Sequence, residues 1–459
     1  MAALSAKTIQ NAFLAKDGPR TRHNTRYTCD FCALYPRSMH SVQGCRLTLA
    51  DTSAKWLNTT STAWISFGKQ TNISCNATQG TSAVASTEKV DFLKLQNGSD
   101  IRGVAIAGVE GELVNITEPV TEAIAAAFAS WLLNKKKADG LRRLRISVGH
   151  DSRISAHKLQ NAVTHGITAA GHDVLQFGLA STPAMFNSTL TEDEIHHCPA
   201  DGGIMITASH LPYNRNGFKF FTSDGGLNKA DIKYILEHAS RIYDESAHGD
   251  KQEQTGVMTH VDYMSIYAFN LVQAVRKSAG NKEKPLEGLH IVVDAGNGAG
   301  GFFVDKVLKP LGAVTSGSQF LEPDGLFPNH IPNPEDKAAM EAITQAVLNK
   351  NADLGIIFDT DVDRSAAVDS SGRELNRNRL IALMSAIVLE EHPGTTVVTD
   401  SVTSDGLTTF IEKKLGRYII FLTENFVDTC YACCFLCLND HLHIYLYIRR
   451  KTSSIQARI

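Results

Sequence analysis

Long apolar runs are missing from this chain. None of its 459 residues belongs to an uninterrupted hydrophobic stretch of about 18, the length a membrane-spanning helix needs. A basic excess is missing too. Lys and Arg number 45 against 48 Asp and Glu, for a net charge of −3, so composition gives no footprint for a nucleic-acid backbone. No compact apolar stretch follows Met1, because Ala2 to Ala15 is too interrupted for a secretory signal. Acidic residues are scarce in residues 1–86: Asp17, Asp30 and Asp51 stand against nine Lys or Arg, amid dense Ser and Thr. That balance reads as an organelle transit peptide, plastid rather than mitochondrial because Ser and Thr outweigh Arg. A tail with no address, leaving the protein in the cytoplasm, is the alternative. Cys29 and Cys32 have no second pair nearby and read as incidental. Asn58, Asn72 and Asn76 head glycosylation sequons that matter only in a secreted protein. What remains is a chain that is 43% hydrophobic and long enough for roughly three domains.

Two stretches carry chemistry. Ile204 to Ile206 reads as a buried strand, and Phe218 to Thr222 as a second one. Between them lie Pro212, Asn214, Asn216 and Gly217, all turn formers. Ser209 and His210 therefore sit on a loop that a rigid sheet presents to a cleft. Lys219 returns ten residues after Ser209 and supplies a cation nearby. A hydroxyl, an imidazole and an ammonium suit phosphoryl transfer, as acceptor, proton handler and charge clamp. The second stretch is the apolar strand Leu354 to Phe358, running into Asp359-Thr360-Asp361-Val362-Asp363-Arg364. Carboxylates at every second position make a hard, oxygen-only site suited to Mg²⁺. Arg364 beside them can hold a phosphate.

Together these stretches resemble the α-D-phosphohexomutase family of phosphoglucomutases, phosphomannomutases and phosphoglucosamine mutases. The phosphoserine loop of that family resembles Thr207-Ala208-Ser209-His210-Leu211-Pro212, with Leu211 where Asn is more usual. Its metal loop resembles Asp359 to Arg364, with Thr360 and Val362 where Gly is usual. Asp100-Ile101-Arg102-Gly103 and Pro323 to Pro334 are similar to two further family motifs, and the likeness spans about residues 90 to 416. The resemblance implies consecutive α/β domains with mixed sheets. It implies phosphorylated Ser209, with Ser209, Asp359, Asp361 and Asp363 around Mg²⁺. Arg102 and Arg364 would hold the phosphoserine, and His210 and Lys219 would handle the proton and the charge. The implied reaction interconverts hexose 1-phosphate and hexose 6-phosphate through a hexose 1,6-bisphosphate. The expected partners are small sugar phosphates, not nucleic acid or membrane, and the expected state is a monomer.

In chain order, the pattern places a transit segment at 1–86, a first domain at 87–280, a second at 281–372, the start of a third at 373–416 and a divergent tail at 417–459. Helices are expected at Val120 to Lys135, Ile154 to Ala170 and Lys229 to Tyr243. Strands are expected at Leu144 to Val148 and Val174 to Phe177. Alternation at short spacing argues a parallel α/β layer. Asp100 and Arg102 read as a Gly-flanked turn, and 276–285 as a linker. A strand at Leu289 to Val293 leads into Gly296-Asn297-Gly298-Ala299-Gly300-Gly301, with Glu322 further on. This matches the short dinucleotide motif, but any tight strand-to-helix turn can use glycines. A strand at Thr396 to Thr399 and a helix at Ser404 to Leu415 open the third domain. After Gly416 the resemblance stops, so the third domain reads as incomplete and the fourth as absent. A truncated, non-catalytic isoform is the alternative reading, and poor turnover is the expectation. Cys430, Cys433, Cys434 and Cys437 with His441 and His443 abut too closely for one tetrahedral zinc site. A serine phosphatase of the alkaline type would want His near the acids, and residues 350 to 375 contain none.

Overall fold

The computed structural model describes residues 90–136, 143–196, 198–246, 255–391, 397–399, 404–415 and 419–421. Residues 1–86, read above as a transit segment, with their sequons and Cys29 and Cys32, and the Cys/His group of the tail lie outside them.

The first domain runs β1 (Gln96–Asn97), β2 (Asp100–Val104), α1 (Glu118–Lys135), β3 (Arg145–His150), α2 (Ala156–Ala169), β4 (Asp173–Leu179), α3 (Thr182–Asn187), β5 (Gly202–Ile206), β6 (Arg215–Thr222), β7 (Gly225–Gly226), α4 (Lys229–Ser246) and β8 (Met258–His260). Its sheet has the order β1-β2-β6-β5-β3-β4-β8, with β7 paired to β6. β3 pairs in parallel with β4 and β5, whereas β6 runs antiparallel to β5 and β2. The sheet is mixed because β5 returns directly through the serine loop, while the other crossovers carry helices.

Strand alternation divides the core. Ile204, Ile206, Phe218 and Phe220 join one buried cluster, and Met205 and Phe221 join the other. α1 is apolar nearly all round, from Val120 to Leu132, because it is sandwiched against the sheet between α2 and α4. On the opposite face α3 carries Met185 and Phe186 into the second cluster, where Tyr263 stacks on Phe177. Both faces of the sheet are thus covered, as parallel strands require.

α5 (Tyr263–Ser278) leads into the second domain, which contains β9 (Ile291–Asp294), α6 (Lys337–Lys350), β10 (Leu354–Phe358) and β11 (Ser365–Asp369). Asp336 caps α6 by accepting from Ala338 and Ala339. β10 pairs in parallel with β9 and antiparallel with β11. α5 serves two cores: Tyr263 and Met264 enter the first domain's cluster, and Ala268, Val272 and Val275 pack with Ile291 and Val293. The linker reading of 276–285 is therefore corrected, since its first three residues finish this helix. Further on lie α7 (Arg377–Glu391), β12 (Val397–Thr399), α8 (Asp405–Thr409) and β13 (Ile419–Phe421), with β13 parallel to β12.

Two other local expectations change. Asp100 and Arg102 lie on β2, not in a turn. Asn216 and Gly217 belong to β6, because they pair with Gly103 and Arg102 of β2. Turn-forming residues were overridden by a neighbouring strand that the sequence pattern did not show.

Packing of α1 on α2 depends on Gly166, where an added Cβ would lie 2.3 Å from the Glu122 carbonyl oxygen. Gly166→Ala is expected to lower stability by about 1–3 kcal/mol, read as a lower urea midpoint with unchanged slope. Asn161→Ala, on the exposed face of α2, should move it by less than about 0.5 kcal/mol. Equal midpoints for the two variants would remove the close-packing account.

Candidate active site

The serine loop leaves β5 at Thr207 and rejoins the sheet at Arg215. Thr207 Oγ1 accepts a hydrogen bond from the Ser209 amide at 2.8 Å and donates to Asp151 Oδ2 at 2.7 Å. This local turn leaves Ser209 at φ 53°, in the left-handed region that a serine seldom occupies. The loop is gripped from below by Arg153, whose side chain is fully buried. Its guanidinium donates to the carbonyls of Ser209, Leu211 and Pro212, each at 2.6 Å, and of Arg215 at 3.0 Å. Asp151, also fully buried, lies 3.3 Å from Arg153 Nε. From the other side Glu112 accepts from Asn214 at 2.6 Å and pairs with Arg215.

The acid loop is the turn of the β10–β11 hairpin. The Asp359 amide donates to the Arg364 carbonyl, and the Arg364 amide returns a bond to Asp359 Oδ1, both at 3.0 Å. Val362 sits at φ 64°, which explains why glycine suits that position. A β-branched residue there costs roughly 1–2 kcal/mol, partly offset by packing of Val362 on the cluster that holds Phe358.

The two loops meet. Ser209 Oγ donates to Asp359 Oδ2 at 3.2 Å and accepts from Arg364 Nη2 at 2.6 Å. Arg364 also donates to His210 Nδ1 and binds Asp359 through Nε at 3.1 Å. Lys219 pairs with Asp361 at 3.1 Å and with Asp363. Thr182, at the start of α3, donates its amide to the Asp361 carbonyl at 2.8 Å and its hydroxyl to Asp361 Oδ2 at 2.6 Å. Arg102 donates to the Thr207 carbonyl and to Asp100 at 2.8 Å, one peptide removed from the serine. All eight sequence-predicted site residues thus lie on or beside these two loops. The sequence reading missed Thr182, Asp151 and Arg153. A polar Asp-Ser-Arg directly after a buried parallel strand was the signal that could have pointed to the last two.

Electrostatics separates the acids. Burial, then Asp361 and Asp363, push the Asp359 carboxyl well above its usual range. Burial would raise Asp361 too, but Lys219 and the Thr182 hydroxyl hold it far below. Burial would depress Lys219, yet Asp361 and Asp363 drive it upward, so it stays charged. Burial and the Arg364 charge hold the His210 imidazole below its ordinary value, hence neutral near pH 7.

The residues fit Mg²⁺. One carboxylate oxygen from each of Asp359, Asp361 and Asp363 lies within 4.8 Å of the others. Asp361 Oδ1 is buried without a hydrogen-bond partner. Among the described residues this all-oxygen group is the one with metal-ligand geometry.

Family models for phosphoglucomutase/phosphomannomutase match here: alpha/beta/alpha domain I over residues 93–246 and domain II over 266–372. The chain is 31% identical over 315 residues to a phosphoglucomutase/phosphomannomutase of Thermococcus kodakarensis, covering 69% of this chain and 64% of that protein. It is 31% identical over 315 residues to a phosphoglucomutase of Neisseria gonorrhoeae, covering 69% of this chain and 62% of that one. A solved phosphoglucomutase/phosphomannomutase family protein from Burkholderia thailandensis superposes with a TM-score of 0.60 at 26% identity, over 71% of this chain and 65% of that chain. Two α/β domains that bring a serine loop to an acid loop, with these matches, place the chain in the phosphoglucomutase/phosphomannomutase family. It spans under two thirds of the length of these curated relatives.

The remaining motifs brace the site. The glycine-rich turn at 296–301 is structural: an added Cβ at Gly298 would lie 2.7 Å from the Thr360 carbonyl oxygen, and Ala299 donates to that same oxygen at 2.8 Å. The turn is glycine-rich because the acid loop lies against it, and Glu322 contributes its carbonyl to Asn297 Nδ2. The loop 323–334 is tied to the same turn by Asn329 to Asn297 at 2.7 Å. It is tied to the end of β9 by buried His330, whose Nε2 lies 3.1 Å from both Asp294 oxygens. Burial alone would lower the His330 value, but the Asp294 hydrogen bond and charge raise it. A raised folded value means the protonated ring stabilises the fold fully below about pH 6.5 and loses that contribution as pH rises through the folded value. Chemical denaturation at stepped pH should show that decline in the native protein and a flatter profile in His330→Gln. Parallel profiles would dismiss the pair as a source of pH dependence.

Proposed function

We propose that this chain belongs to a hexose phosphate mutase that interconverts hexose 1-phosphate and hexose 6-phosphate through phosphorylated Ser209 and a hexose 1,6-bisphosphate. The observation that carries the reading is the junction itself: Ser209 Oγ within 3.2 Å of Asp359 and 2.6 Å of Arg364, beside the acid triad. The names of the relatives support the substrate class, phosphohexoses.

In the forward step a sugar hydroxyl attacks phosphorus. The bond from phosphorus to Ser209 Oγ breaks and a bond to the sugar oxygen forms. The sugar hydroxyl proton leaves to a base, and a proton returns to Ser209 Oγ, restoring the hydroxyl that donates to Asp359. His210 is suited to the role of base as a neutral imidazole on the same loop. Lys219, paired with Asp361 and Asp363, is placed to clamp charge. Arg364 already donates to the position a phosphoserine would occupy, and Arg102 fixes the Thr207 carbonyl at the root of the loop. Asp359, Asp361 and Asp363, with Ser209, would hold Mg²⁺, which when bound supplies charge neutralisation for the transferring phosphoryl group. The reaction then reverses on the other sugar oxygen, once the bisphosphate has turned over. We propose further that the protein works as a monomer and that residues 1–86 address it to a plastid.

Two experiments test these readings. Incubated with Mg²⁺ and glucose 1,6-bisphosphate, the chain should gain one phosphoryl group, mapped to Ser209 by peptide mass spectrometry. Ser209→Ala should gain none, and Asp361→Asn or chelation of the metal should slow uptake by about 100-fold. Phosphate mapped to another residue, or equal uptake by Ser209→Ala, rules the mechanism out. Separately, residues 1–86 fused to a fluorescent protein should carry it into plastids of plant cells. Diffuse cytoplasmic fluorescence would refute the address.

A further inference from the structure

Arg153 touches more than the serine loop. Its guanidinium carbon lies 5.3 Å from the centroid of the Phe327 ring, which belongs to the loop 323–334 of the second domain. Gly325 of that loop packs so closely that an added Cβ would fall 2.4 Å from the Ile154 nitrogen and 2.6 Å from the Ser152 oxygen. The same loop is fastened through Asn297 to the turn that supports Thr360 in the acid loop. One continuous set of contacts therefore runs from the acid loop, through 296–301 and 323–334, to the aromatic face of Phe327. It continues through Arg153 to the carbonyls of Ser209, Leu211, Pro212 and Arg215.

We propose that Arg153, stacked on Phe327, is a positioning residue that sets the serine loop against the acid loop, so that Ser209 Oγ stays within reach of Asp359 and Arg364. The proposal rests on the mutase reading of Ser209 for its catalytic consequence. A guanidinium suits the task for two reasons. Its planar fork serves several carbonyls at once, and its face remains free to stack on an aromatic ring. Four carbonyl bonds from one edge of the group and a flat cationic face on Phe327 join the serine loop to the loop 323–334. Neither Arg153 nor Phe327 touches the reacting oxygen, so their effect is exerted through the loop.

Phe327 is the better residue to change, because the buried carbonyl contacts of Arg153 survive its substitution. Phe327→Leu keeps an apolar side chain and removes the ring, whereas Phe327→Tyr keeps the ring. Hydrogen exchange on the full chain should speed up across residues 207–216 by roughly 3- to 10-fold in Phe327→Leu. It should stay near native in Phe327→Tyr, with the α1 and β3 amides unchanged in both. Phosphoryl uptake from glucose 1,6-bisphosphate should fall roughly 10-fold in Phe327→Leu and return to within about 2-fold in Phe327→Tyr. Matching behaviour of Leu and Tyr in either measurement overturns the proposal, since simple space-filling then suffices. If the native chain takes up no phosphoryl group, the mutase reading fails while exchange still decides the coupling.

Discussion

Asp361 is the constraint on which the arrangement depends. It belongs to the second domain, yet its hydrogen bonds come from the first: the Thr182 amide, the Thr182 hydroxyl and the Lys219 ammonium. A buried carboxylate is costly unless it is paired and hydrogen-bonded, and removing one partner of such a pair typically costs about 3–5 kcal/mol. The acid loop thus has a strong reason to sit against the start of α3 and the middle of β6, and nowhere else. Once it sits there, Asp359 and Arg364 are carried to Ser209. The position of the serine hydroxyl follows from where charge can be satisfied.

Strain and bracing go together at this junction. Ser209 and Val362, one on each loop, both occupy the left-handed backbone region. Such residues persist where the surroundings over-determine them. The surroundings here are the carbonyl clamp of Arg153, the Thr207 hydroxyl under the Ser209 amide, and two reciprocal bonds of the acid loop, Asp359 amide to Arg364 carbonyl and Arg364 amide to Asp359 Oδ1. Preorganised donors of this kind cost no rearrangement when charge develops on a transferring group.

Much of this was legible in the sequence, for identifiable reasons. Leu354–Phe358 is a short apolar run ending in acids, and it is the strand at those residues. Ile204 to Ile206 lies inside a wholly buried strand for the same reason. The helix at 118–135 announces itself by Pro119 in its first turn. Partners distant in the chain were not legible. Nothing local to Thr182 points to Asp361, 179 residues away. Nothing local to Arg153 shows that its charge will be spent on backbone carbonyls. Lys219 reads from the sequence as a cation near the serine loop; that its partners are Asp361 and Asp363, far along the chain, was not legible. Asn216 and Gly217 read as turn formers until β2 pairs with them. The glycine-rich turn carries a nucleotide-like spacing, but its packing against Thr360 gives the glycines another purpose.

The central claim is that hydroxyl and acids form one joint site. It is tested most directly by diffraction from crystals of this chain grown with Mn²⁺, collected at the manganese absorption edge. The account predicts an anomalous peak bonded to oxygens of Asp359, Asp361 and Asp363, with Ser209 Oγ beside it. Manganese bound elsewhere, with Ser209 far from the acids in an otherwise intact fold, would contradict it.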